Sequence, residues 1–328
     1  MRREVPSPGN DLTECPIELP REIKAAVLRR LGEASWRRYP GREQPEVIAS
    51  VAAHLRVDPQ RVLLTKGASE AIALAIRPHS RTEAGILAPV PGFIGYGLAA
   101  KTQGIPLRGY PAQELPEPAA PESPHDGSPL IVCSPNNPTG HVTTVDYLIR
   151  AARTRPVICD LTYDPFADEP LTRHLTELTD AEVTCVISLS KAYGLAGARI
   201  GALVAAPEVL RRMAQAQEVF PLDYFQLAVA ETLFGPDAPP DRDAGIIWVR
   251  RERRHVRELL ARLAPDAVIG PCQANFVPLT TTGCEEDLIR RIVTTTDCKL
   301  SSPSSLLRVT VSPRTLSGLR TLMANSAG

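Results

Sequence analysis

From about residue 45 to residue 235 the chain alternates short runs that are apolar on both faces with longer amphipathic stretches. Residues 61–65 read as a strand leading into 66–76, whose apolar spacing is helical. Residues 85–89 form a strand before a helical 93–103, and 129–133 a strand before a Pro/Gly turn and a helix from about Thr144. Further β-rich runs fall at 156–160, 183–188 and 199–204. A strand apolar on both faces must be covered on both, and strands separated by helices pair in parallel. The expectation is therefore α/β, with a mostly parallel sheet between helices.

A length of 328 residues exceeds a single core, so a smaller lobe is expected beside the sheet domain. The Pro-rich stretch 112–128 reads as a surface loop, because strand-like sequence resumes directly after it. A better break lies at 235–240, followed by a long charged helix over about 245–263 and short strands near 275–279 and 307–311. This reading divides the chain into a large domain, 36–236, and a small one, 1–35 with 237–328.

Basic and acidic residues number 37 each, so the net charge of zero argues against a nucleic acid or an acidic membrane held by bulk electrostatics. No apolar run approaches the ~20 residues of a membrane span. The first ten residues carry two arginines and no apolar core, so they do not read as a signal peptide. Seven scattered cysteines without a Cys-x-x-Cys pair suggest reduced thiols in a cytoplasmic protein, and no metal site.

Only five of the basic residues are lysines, and one of them is placed for chemistry. Lys191 follows the apolar run 183–188, with Ser188 and Ser190 before it and Gly194, Gly197 and Gly201 after it. A lysine past the carboxyl end of a buried strand faces the crevice where such sheets bind ligands. Partial desolvation there lowers its pKa and frees the amine to attack a carbonyl. Ser188 and Arg199 could hold a phosphate, as donor and as fork.

Around Lys191 the chain resembles the fold-type I aminotransferases of class I/II, which use pyridoxal 5'-phosphate (PLP). The run from Ser188 to Gly201 is similar to the histidinol-phosphate aminotransferase-like group, and the resemblance extends from about Tyr39 to Arg308. It implies a seven-stranded, mostly parallel sheet in the large domain and a smaller α+β domain. It also implies a Schiff base between Lys191 and the cofactor. Asn137, in the Asn-Pro-Thr-Gly motif, and Tyr163 would face the cofactor's phenolic oxygen. Asp160 would sit beside the ring nitrogen, where a carboxylate keeps the pyridinium charged. Ala68 and Ser69, in the turn that opens a helix, would join Ser188 and Arg199 on the phosphate. Phe93 would stack on the ring.

Arg308 resembles the arginine that pairs with the substrate α-carboxylate. Tyr39 resembles the tyrosine that reaches the phosphate in the partner subunit's site, which implies a homodimer. Gln273, Ala274, Asn275 and Phe276 fit the family's small-lobe strand. The segment from Thr13 to Ile17 departs from the family on the substrate side, where Cys15 and Ile17 lack the usual polar and aromatic groups. Asp223 enters the region after the lysine helix, where an acid would repel a substrate phosphate and favour a cationic substrate. The implied activity is amino transfer between an amino acid and a 2-oxo acid, both small molecules. A PLP-dependent lyase, decarboxylase or cyclase on the same scaffold is the alternative, and a PLP-binding regulatory module a third reading.

Overall fold

The structure is a computed structural model that describes residues 12–41, 44–79, 85–116, 128–280, 284, 286–296, 298–301 and 305–326. Its centre is a seven-stranded sheet of β1 (Val62–Thr65), β2 (Ile86–Val90), β3 (Leu107–Pro111), β4 (Leu130–Cys133), β5 (Val157–Asp160), β6 (Thr184–Ser188) and β7 (Gly201–Val204). The order is β1-β7-β6-β5-β4-β2-β3. Neighbours from β3 to β6 pair in parallel, while β7 runs antiparallel to both β1 and β6.

Alternation along the strands sends side chains to two separate cores. Val132, Cys159, Cys185 and Ile187 enter one; Ile131, Ile158, Val186 and Leu203 enter the other. The covering helices are α1 (Arg21–Glu33), α2 (Pro45–Leu55), α3 (Gly67–Ile76), α4 (Ile94–Thr102), α5 (Val145–Ala152), α6 (Leu175–Asp180), α7 (Pro207–Ala214) and α8 (Tyr224–Phe234). Thr144 caps α5 by accepting from the Tyr147 N–H at 3.1 Å, which explains why that helix starts where the sequence suggests.

β3 was absent from the apolar runs because it is an edge strand. Leu107, Arg108 and Gly109 are exposed, and its Gly and Pro are the residues an edge tolerates. β7 starts two residues later than expected because Arg199 adopts a left-handed backbone, φ +52°.

The rest of the chain forms α9 (Ala244–Leu263), β8 (Val268–Ile269), β9 (Phe276–Thr280), α10 (Glu286–Thr296), β10 (Lys299–Ser301), β11 (Leu306–Thr310) and α11 (Pro313–Ser326). Its antiparallel sheet has the order β10-β11-β9-β8. α1, grouped above with the small lobe, packs against α8, as does α2. Among the described residues no helix is long and apolar enough to cross a membrane, and all seven cysteines are free thiols.

Candidate active site

The parallel strands end on one edge of the large sheet, and the loops leaving them wall a cleft of about 480 Å³. Ten of the eleven expected site residues line it: Ala68, Ser69, Phe93, Asn137, Asp160, Tyr163, Ser188, Lys191, Arg199 and Arg308. Tyr39 does not. It is 76% exposed and stacks on Phe220, with ring centroids 4.4 Å apart and planes within 8°.

Asp160, the last residue of β5, closes one end of the cleft and is buried. Burial pushes its carboxyl above the usual range, opposed by hydrogen bonds to the charged form. Tyr96 Oη donates to Oδ2 at 2.6 Å, and the Thr162 hydroxyl and N–H donate to Oδ1 at 2.7 and 3.0 Å. All of these partners are neutral. Phe93 precedes α4 and meets the ring of Tyr96 edge-on, with centroids 5.6 Å apart, so one short helix start fixes both aromatics.

The opposite end is positive. Gly67 turns at φ +72° from β1 into α3, so the N–H groups of Ala68 and Ser69, in the first turn where the helix itself offers no acceptor, open the helix beside Arg199. A Cβ at position 67 would stand 3.2 Å from Arg199 Nη2, so glycine provides the close approach as well as the turn. The Gln226 side chain donates to the Arg199 carbonyl and holds its left-handed backbone. Ser188, at the end of β6, completes this wall.

Lys191 lies between the two ends. Burial lowers its pKa to about 8, Glu14 opposes that shift, and Arg308 and Arg199 add to it. Its Nζ donates at 2.6 Å to the Leu12 carbonyl. Tyr163 is buried, which pushes its phenol up to about 12. Asn137 Nδ2 donates to Tyr163 Oη at 3.3 Å, and Arg308 Nη1 donates to Asn137 Oδ1 at 2.7 Å. Arg308 also lies over the ring of Phe276, 5.9 Å from its centroid.

Thr13, at the start of the segment expected on the substrate side, lines the cleft, while three further lining residues carried no sequence signal that named them: Leu12, Cys133 and Thr162. Tyr96 stood in the same motif as Phe93, three residues on, and could have been read as a partner of Asp160. Two expectations need correction. Cys15 and Ile17 are not among the cleft residues; Leu12 and Thr13 take that place, while Cys15 packs so closely on Gly245 that a Cβ there would stand 2.7 Å from its sulfur. Asp223 does not line the cleft either. It caps α8, accepting from the Gln226 N–H at 2.9 Å while its own N–H donates to Gln226 Oε1 at 3.0 Å. The argument for a cationic substrate therefore loses its charge.

A sequence model of the family described as aminotransferase class I and II matches residues 11–324. A histidinol-phosphate aminotransferase of Thermococcus gammatolerans is 30% identical over 288 residues, which cover 86% of this chain and 81% of that protein. Two solved structures share the fold. One is a histidinol-phosphate aminotransferase from Sinorhizobium meliloti in complex with pyridoxal-5'-phosphate, with TM-score 0.79, 18% identity, and coverage of 97% of this chain and 91% of that one. The other is the L-threonine-O-3-phosphate decarboxylase of Porphyromonas gingivalis, with TM-score 0.81, 19% identity, and coverage of 97% and 99%.

Proposed function

This chain belongs to the class I and II aminotransferases, and from that membership we propose that it uses PLP, linked to Lys191, to move an amino group between an amino acid and a 2-oxo acid. The observation that carries the reading is the polarity of the cleft. A buried carboxylate whose described partners are all neutral stands at one end, and an arginine with a helix N-terminus at the other. PLP has the matching charges, a protonated ring nitrogen and a phosphate. The tight space at Gly67 leaves the phosphate end open to backbone N–H groups.

Bound there, the cofactor supplies an aldehyde that links to amines and a ring that takes up the electron pair released at the substrate α-carbon. The residues supply the rest. Ala68, Ser69, Ser188 and Arg199 hold the phosphate. Phe93 covers one ring face and excludes water. Asp160 keeps the proton on the ring nitrogen, where its raised pKa is relieved by a cationic neighbour. Asn137 and Tyr163 face the phenolic oxygen. Lys191, whose pKa of about 8 gives it a larger neutral fraction near physiological pH than an exposed lysine has, binds the cofactor and then carries the proton at the substrate α-carbon. Arg308 takes the substrate carboxylate.

The exposed stack of Tyr39 on Phe220 supports a homodimer in which Tyr39 reaches the phosphate of the other copy. The test is a half-reaction. An amino donor added without a 2-oxo acid should abolish the visible absorption of the purified protein, one equivalent per site, and 2-oxoglutarate or pyruvate should restore it. The donor panel includes amino acids and histidinol phosphate. Continuous turnover of a donor with no acceptor present would instead mean a lyase.

A further inference from the structure

Gln273, Asn275 and Phe276, which lead into and begin β9, have no role in the assignments above. Phe276 meets the Tyr163 ring edge-on, with centroids 5.3 Å apart. Gln273 accepts from the Asp168 N–H and donates to its carboxylate. Asn275 reaches further. It is fully buried, and its side-chain amide donates at 2.8 Å to the carbonyl of Thr13, 262 residues away in the chain. Its amide oxygen is buried with no hydrogen-bond partner among the described residues. An asparagine serving only stability would be expected to use both ends of its amide, because an unmet buried oxygen is a standing cost. That cost directs attention to the one side-chain bond the residue makes.

Thr13 is itself buried and sits at φ +52°, a conformation that a β-branched residue does not hold unaided. Its hydroxyl has one hydrogen, which goes to the Leu12 carbonyl at 2.6 Å. The hydroxyl is therefore the acceptor for the Tyr163 phenol at 2.9 Å. The same Leu12 carbonyl accepts from Lys191 Nζ. One hydroxyl and one carbonyl of a two-residue strap thus accept hydrogen bonds from both Tyr163 and Lys191, and Asn275 pins the strap.

We propose that Asn275 is a positioning residue for amino transfer: by holding the Thr13 carbonyl, it sets where Tyr163 and Lys191 carry their protons. The proposal rests on the roles given above to those two residues and adds one from the small sheet. Without the pin, Thr13 relaxes toward an extended backbone, its hydroxyl leaves Tyr163, and the Leu12 carbonyl leaves Lys191.

The test compares holoenzymes carrying Asn275→Leu, Thr13→Val, both together, and Thr13→Ser. Asn275→Leu keeps the size and removes the amide; Thr13→Ser keeps the hydroxyl that Thr13→Val removes. The first two variants should each lower kcat about tenfold while KM for the amino donor moves less than about threefold. In both, the pH midpoint of the visible band should move by about half a unit or more, in the same direction. The double variant should be no worse than either single one, since the two lesions break one path. Thr13→Ser should stay within about twofold of the unsubstituted enzyme. An unmoved midpoint, independent losses multiplying to about a hundredfold, or a Thr13→Ser enzyme as impaired as Thr13→Val would overturn the proposal. Should Asn275→Leu fail to fold, an unmoved midpoint in Thr13→Val or a failed rescue by Thr13→Ser overturns it alone. Failure of the Lys191 assignment shows separately, as a visible band that survives Lys191→Ala.

Discussion

The two sides of the cleft are built by different means. On the large-sheet side, Asp160 and Ser188 end their strands, with Asn137 and Lys191 a few residues past β4 and β6. A paired strand fixes its last residue to within a fraction of an ångström, so these groups stay placed whether or not a ligand is present. On the opposite side, the Leu12 and Thr13 strap joins no ladder among the described residues. Its place depends on single bonds, from Asn275 to the Thr13 carbonyl, from Lys191 to the Leu12 carbonyl and between the Thr13 and Tyr163 hydroxyls. The sheet side is thus held by strand pairing, while the strap side is held by contacts between parts far apart in the chain.

That contrast can be broken by asking which parameter each side moves. Asp160→Asn, on the sheet side, should retain the cofactor and lose about a thousandfold or more in kcat. The amide cannot keep a proton on the ring nitrogen, and several kcal/mol of charge stabilisation go with it. Near-normal turnover would mean that another group faces that nitrogen. Arg308→Ala should act on substrate affinity instead. A buried carboxylate losing a charged partner costs about 1.5–3 kcal/mol, or roughly 10- to 100-fold in KM, with cofactor retention unchanged. Cofactor loss in that variant would place Arg308 on the wrong side of the cleft, and steady-state kinetics with a cofactor titration measures both.

The same contrast explains what could be read beforehand. Lys191, Asp160 and Asn137 follow apolar runs that any parallel sheet requires, so their positions follow from where the strands end. β3 was hidden because an exposed edge strand has no apolar run to find. The strap was hidden because two of its contacts use backbone carbonyls, which every residue has, and the third a hydroxyl 150 residues from its partner. The sequence left open whether Asp223 faces the cleft. An acid three residues before Gln226 is the pattern of a helix cap, and the local bond took precedence over the cleft. Packing of α1 on α8 likewise depends on contacts that chain order does not reveal.

The covalent role of Lys191 is tested most directly by adding PLP to cofactor-free protein, reducing with borohydride and locating the modified residue by peptide mass. The adduct should fall on Lys191 and vanish in Lys191→Ala, together with the visible band. Only the neutral amine reacts, so the capture rate should rise with pH through a midpoint near 8, well below that of an exposed lysine. An adduct on another of the five lysines, or a band unchanged in Lys191→Ala, would contradict it.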